Sequence, residues 1–215
     1  MKKVDGQSGE KRNGRAVKTV ADPRARNKKS TSGNAASRSN SDKNARQDRA
    51  VHEKIRCFGY IADENSRVLI LGSMPSVKSL EKSEYYAHPQ NRFRRVMAAI
   101  AGADYDGSYG QLLENLKTLK IALWDVIGEC ERDGSSDSAI KAAVPNDIVG
   151  LLGKYPGIER IATNGSKAAE IFEKTFPGTA FTRLPSTSPL NARAKPDDLI
   201  TAYSAFIKGK TNDEN

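Results

Sequence analysis

Residues 67–96 read RVLILGSMPSVKSLEKSEYYAHPQNRFRRV, and this stretch decides the fold. Val68, Leu69, Ile70 and Leu71 form a continuous apolar run closed by Gly72. An apolar run without alternation suits a strand covered on both faces, as in a parallel sheet. The small-residue turn Gly72-Ser73-Met74-Pro75-Ser76 follows. Glycine lets the backbone come close to a ligand, and Pro75 stiffens the exit. Ligands of open α/β sheets sit at the carboxyl ends of the strands, which makes this turn a candidate site segment. Residues 85–93, YYAHPQNRF, then bring three aromatics, a histidine and an asparagine into nine positions. That is too aromatic and too polar for an ordinary connection.

Downstream, strands and helices alternate. Val77 to Glu84 holds a short helical turn. Phe93, Val96, Met97 and Ile100 share one face of a helix that Gly102 ends. A loop at 104–110 leads to a helix over 111–119, a strand over 121–127, an irregular segment over 128–137 and a short helix over 138–143. Asn146 or Asp147 caps a helix over 148–154. A strand over 158–163 turns at Asn164-Gly165 into a helix over 166–175 capped by Ser166. A strand over 179–184 ends in the loop Pro185-Ser-Thr-Ser-Pro-Leu-Asn191, and Pro196 opens a final helix. This pattern predicts a three-layer α/β/α domain with a central, mostly parallel sheet of about four strands. Its strand tips would bring Gly72–Ser76, Trp124-Asp125, Asn164-Gly165 and the 185–191 loop to one rim.

Charge divides the 215-residue chain. Residues 1–50 carry 14 Lys/Arg against 5 Asp/Glu, and the remaining 165 carry 21 of each, so the whole net charge of +9 sits in the first fifty. That segment contains no Phe, Tyr, Trp, Leu or Ile and cannot bury enough apolar surface to fold alone. A disordered basic tail over 1–50 and one folded domain over 51–210 are expected. No apolar run approaches the ~18 residues a membrane span needs, and no apolar segment of signal-peptide type follows Met1. Cys57 and Cys130 are two reduced thiols on this reading, too few for a four-thiolate metal or iron–sulfur site.

Absences narrow the chemistry. The chain has no Walker lysine loop and no G-x-G-x-x-G, which argues against nucleotide hydrolysis and dinucleotide chemistry. His52 and His88 are the only histidines, too few for a zinc hydrolase built on histidine ligands. The rim segments offer stacking aromatics, amides that read base edges and small hydroxyl loops that bind phosphates.

These residues carry a resemblance. The pieces LILGSMPSVKSL, YYAHPQNRF, ALWDVIGECERDGSSDSAI, NDI, the NG after the third strand and LPSTSPLNA are similar, in order, to the uracil-DNA glycosylase superfamily. They most resemble its hypoxanthine-DNA (deoxyinosine) glycosylase branch, and HPQNRF also resembles the mismatch-specific uracil glycosylases. The resemblance implies a monofunctional DNA repair hydrolase that flips a deaminated base into a pocket and cuts its bond to deoxyribose. It implies no cofactor and no metal. DNA would be the partner, with the protein a monomer, cytoplasmic and nucleoid-associated through DNA.

Roles follow by matching position. The superfamily usually places a water-positioning Asp or Asn in the first-strand turn, which here has none. By the resemblance, Asn91 matches the asparagine that serves instead in the hypoxanthine branch, and is the catalytic candidate. Gly72, Ser73, Met74, Tyr86, Phe93 and Asn164 are the base-binding candidates, with Tyr86 and Phe93 stacking and Asn164 bonding the base edge. Ser76, Ser186, Thr187 and Ser188 are assigned to the DNA backbone, and Leu190 to the wedge that fills the vacated stack. His88 is read as holding its loop. One departure stands out. Relatives usually read N-x-F-W after the His-Pro, and Arg94 occupies the last position, where it could meet a phosphate or weaken the site. Three other readings fit the same residues: a mismatch-type uracil glycosylase, a silent nucleic-acid-binding module and a flavodoxin-like small-molecule binder.

The tail makes its own prediction. Deleting residues 1–50 should weaken non-specific DNA binding and flatten its salt dependence, because fewer phosphates are neutralised. Equal affinity of full-length and truncated protein in low salt would dismiss that role.

Overall fold

The computed structural model describes residues 54–209, so the basic tail lies outside the described residues. At its centre is a four-stranded sheet built from β2 (Val68–Gly72), β3 (Ile121–Asp125), β6 (Arg160–Asn164) and β7 (Thr182–Leu184). The spatial order is β3-β2-β6-β7 and every pairing is parallel. Residues 68–72 are buried throughout, as their unbroken apolar run requires. The chain moves from β2 outward to β3, then returns past β2 to β6 and β7. Connections therefore diverge from β2, and the space beyond its carboxyl end is open for a ligand.

Helices α1 (Val77–Lys82), α2 (Phe93–Ala101), α3 (Tyr109–Thr118), α4 (Ile148–Lys154), α5 (Ser166–Thr175) and α6 (Pro196–Lys208) flank the sheet, giving the three-layer α/β/α architecture. Among the described residues, no helix is long and apolar enough to cross a membrane. Phe93, Phe172 and Tyr203 are wholly buried and fill the core with Leu69, Ile70, Leu71 and Leu123. Gly102 ends α2 in the left-handed conformation (φ 71°). Asp147, not Asn146, caps α4, its carboxylate accepting from the Gly150 N–H at 2.8 Å. Ser166 does not cap α5. Gly165 takes that position at φ 98°, and a Cβ there would come 2.8 Å from the Ser186 Cβ.

The segment expected to be irregular and then helical is instead sheet. Strand β4 (Ile127–Glu131) pairs antiparallel with β1 (Lys54–Arg56) on one side and β5 (Lys141–Pro145) on the other. Only a short 3-10 turn at Asp137–Ala139 is helical. All five β5 residues are exposed, so no apolar alternation marks them. Backbone pairing to β4, through two register irregularities, holds them in place. This second sheet carries Asp137 and Arg132 toward the β2 tip. Cys57 and Cys130 are both free thiols.

Candidate active site

A cleft of about 900 Å³ opens at the carboxyl ends of the parallel strands. Gly72, Ser73, Met74 and Ser76 from the β2 turn line it, with Tyr86, His88 and Asn91 from the aromatic loop. Asp125, Asp137, Asn164 and Lys167 face it, as do Ser186, Thr187, Ser188 and Leu190.

Thr187 ties the walls together. Its hydroxyl accepts from Asn164 Nδ2 at 2.9 Å and donates to Asn91 Oδ1 at 3.1 Å. Its backbone N–H donates to Asn164 Oδ1 at 3.0 Å. Asn91 Oδ1 also accepts from the Phe93 N–H at 2.9 Å, at the start of α2. These backbone donors fix which end of each amide is oxygen. The Asn91 oxygen is therefore saturated, and its Nδ2 donors remain for a ligand. Asn164 has committed both N–H groups, the second to the Tyr86 hydroxyl at 3.0 Å, and keeps one oxygen lone pair. Thr187 is fully buried. The structure thus turns its hydroxyl inward, away from the DNA-backbone position expected from sequence.

Phe93 is also displaced from its expected position. It is wholly buried and stacks behind Tyr86, with ring centroids 4.1 Å apart and planes 22° apart. It is absent from the cleft wall because the α2 packing stripe claims it for the core. Tyr86 forms the wall and holds a left-handed backbone (φ 53°), an unusual state for an aromatic residue. Burial, with Asp125 nearby, pushes its phenol pKa up. The Ser76 hydroxyl caps α1, accepting from the Ser79 N–H at 3.2 Å. Ser73 donates to Asp137 at 2.8 Å. Leu190 projects 83 % exposed from the rim. His88 Nδ1 accepts from the Gln90 N–H at 3.2 Å and its carbonyl from the Asn91 N–H at 2.8 Å, which fixes the loop. Arg94 points away from the cleft. It is buried, donates twice to the Tyr85 carbonyl (2.7 and 3.1 Å) and pairs with Glu84 at 2.8 Å. It is not among the residues that line the cleft.

Two residues escaped the sequence reading. The Arg92 guanidinium donates to the carbonyls of Ser188 at 2.7 Å, Asn191 at 2.9 Å and Thr187 at 3.3 Å, and also to Ala194. It is the latch of the 185–194 loop. The second is Asp125, placed at the rim but given no role. It lies directly across from Gly72 in register, and a Cβ on Gly72 would sit 2.3 Å from Asp125 Oδ1 and 3.3 Å from the Tyr86 hydroxyl. The bare glycine makes room for both groups. Burial first, then Asp137, pushes the Asp125 carboxyl up to about 8, with Arg132 opposing. An acidic residue ending an apolar strand was the available signal.

The sequence profile of the Uracil DNA glycosylase superfamily matches residues 58–207. The chain belongs to that superfamily. A Methanosarcina acetivorans protein named hypoxanthine DNA glycosylase is 40 % identical over 141 residues, covering 64 % of this chain and 89 % of the relative. A Methanosarcina barkeri protein of the same name is 40 % identical over 114 residues, covering 53 % and 72 %. The solution NMR structure of a uracil DNA glycosylase candidate from Methanosarcina acetivorans superposes with a TM-score of 0.63 at 36 % identity, covering 73 % of this chain and 98 % of that one. Within the superfamily, the relatives by name place this chain in the hypoxanthine branch.

Arg92 gives a test of the site's construction. Hydrogen bonds from a charged donor are worth roughly 1.5–3 kcal/mol each. Arg92→Ala should therefore speed amide hydrogen exchange across residues 186–194 by at least ~10-fold while leaving the parallel-sheet amides protected. Unchanged exchange in that loop would show that Arg92 does not hold it.

Proposed function

We propose that this protein is a monofunctional DNA glycosylase that releases a deaminated base, hypoxanthine ahead of uracil, after the nucleotide turns out of DNA into the cleft. The observation that carries the reading is the Asn91–Thr187–Asn164 linkage, which joins two amide side chains, one of them bonded to the Tyr86 hydroxyl, in a cleft large enough for a nucleobase. The names of the Methanosarcina relatives support the choice of base.

The reaction breaks the C1′–N bond of the sugar. A water supplies hydroxide to C1′ and a proton to the departing base. No redox step is involved, and the work left to the protein is positional and electrostatic. Tyr86, backed rigidly by Phe93, offers the face on which the base stacks. Asn91 directs its free Nδ2 donors at the attacking water. Ser186, Ser188 and Lys167 on the rim suit the sugar–phosphate backbone, and exposed Leu190 suits the emptied stack. Ser73, Met74 and the bare Gly72 shape the pocket beneath the base. The fold acts as a monomer on the nucleoid in the cytoplasm, with residues 1–50 as an electrostatic tether and residues 51–210 as the catalytic domain.

Labelled duplexes carrying a single deoxyinosine or a single uracil, incubated with protein and then cleaved with alkali, test this directly. Strand cleavage at deoxyinosine should exceed that at uracil. Asn91→Ala should lose at least ~100-fold in rate, the scale of one positioned catalytic group. No cleavage by wild type, or full activity in Asn91→Ala, would refute the assignment. Faster release of uracil would make it a mismatch-type uracil enzyme instead.

A further inference from the structure

The glycosylase reading leaves Asp125 without a role, although no other side chain in the cleft is placed so expensively. It is 4 % exposed, and its Oδ2 is buried with no hydrogen-bond partner in the protein. An unpartnered buried polar atom costs roughly 1–3 kcal/mol. The residue lines the cleft at the tip of β3, and its other oxygen, Oδ1, borders the gap that Gly72 leaves. A carboxyl so poorly partnered, with one oxygen at the cleft, is poised for a ligand.

The charged and titratable groups around it do not satisfy it. Asp137, from the 3-10 turn, is engaged by the Ser73 hydroxyl. Arg132, just after β4, donates to the Pro75 carbonyl. Tyr86 accepts from Asn164, and Tyr85 donates to the Gly59 carbonyl. Cys57, ahead of β2, contacts Asn146. No hydrogen bond from any of them reaches Asp125.

The chemistry of a deaminated base supplies the complement. Deamination replaces an exocyclic amine by a carbonyl and leaves a proton on the adjacent ring nitrogen. The edge to be read is therefore one acceptor beside one donor, whereas adenine presents the reverse. Asn164 has spent both N–H groups and can only accept. A second group that donates is needed.

We propose that Asp125, as a neutral carboxylic acid, donates a hydrogen bond to the exocyclic carbonyl oxygen of the everted base while Asn164 Oδ1 accepts from the neighbouring ring N–H. The inference rests on the glycosylase reading and adds how the site tells a deaminated base from a normal one. Adenine would set its bare ring nitrogen against the Asn164 acceptor, leaving that pair unmade, and its amine could meet only the acceptor oxygen of Asp125, so the donor's contribution is lost. The bond also strengthens as negative charge spreads onto the departing base, which favours the transition state over the bound substrate. Burial, with Asp137 beside it, pushes the Asp125 carboxyl up to about 8, which favours the neutral donor near neutrality. Once ionised, Asp125 would turn an acceptor and a negative charge toward the carbonyl, and the effect would reverse.

The test is single-turnover release from a deoxyinosine duplex between pH 6 and 10, using full-length wild type, Asp125→Asn and Asp125→Ala, with thermal unfolding followed at each pH. Wild type should release at a constant rate at low pH and fall about tenfold per unit above the Asp125 titration. Asp125→Asn has the same shape and donates at every pH, so it should stay active and lose the fall at the Asp125 titration, keeping only the later fall that comes when the ring N–H of hypoxanthine ionises. Asp125→Ala should drop about 100-fold near neutrality. Three results, each with wild type active, would overturn the proposal alone: an alkaline fall in Asp125→Asn with the same midpoint as wild type, a wild-type rate in folded Asp125→Ala, or a wild-type rate that rises with pH and vanishes in Asp125→Asn. The last would make Asp125 a carboxylate base. No release by wild type at any pH would remove the glycosylase reading and this inference with it.

Discussion

Every polar group of Thr187 is engaged. Its hydroxyl joins two asparagines, its N–H goes to Asn164, and its carbonyl takes the backbone N–H of Arg92 at 3.1 Å. The residue is fully buried, so none of these bonds competes with water. One side chain thereby couples the start of α2, the tip of β6 and the loop after β7, which are far apart in sequence. The proton order is fixed from both ends. Asn164 donates to Thr187, and Thr187 donates to Asn91, whose oxygen also accepts the Phe93 N–H at the start of α2. Each amide is left with one defined free capacity, a donor on Asn91 and an acceptor on Asn164.

That polarity gives the cleft its chemical character. Asn91 and Asn164 are neutral and preorganised, and cost no reorganisation when charge develops on a substrate. Tyr86 is held in an uncommon backbone state by Phe93 behind it and Asn164 beside it. Gly72 contributes by lacking a side chain, because the space beyond its Cα is already taken by Asp125 Oδ1 and bordered by the Tyr86 hydroxyl. Arg92 uses its charge structurally, gathering the carbonyls of the rim loop so that Ser186, Ser188 and Leu190 are presented together.

The parallel sheet and its helices were legible because burial on both faces leaves an unbroken apolar run, and because helix faces repeat every three to four residues. The 93–101 and 166–175 helices show this within a residue or two at their ends. The antiparallel sheet was not legible, since the exposed residues 141–145 are held by backbone pairing that no side-chain pattern records. At the cleft, residue type pointed to the right segments but not always to the right direction. Phe93 belongs to an aromatic motif yet faces the core, because its helix stripe fixes it there. Thr187 sits in a hydroxyl-rich loop yet faces inward, toward partners 23 and 96 residues away. Arg92 and Arg94 are two apart and look alike in sequence, but one latches the rim and the other is buried against Tyr85.

The linkage through the Thr187 hydroxyl is best tested by Thr187→Val, which keeps the shape and removes the oxygen, measured as single-turnover base release beside Thr187→Ser. Loss of the shared hydroxyl strips Asn91 and Asn164 of a common partner, at about 1–3 kcal/mol for each group left unpaired. The account predicts at least a ~10-fold slower release in the folded valine variant, with the serine variant close to wild type. A valine variant that folds and releases base at the wild-type rate would contradict it.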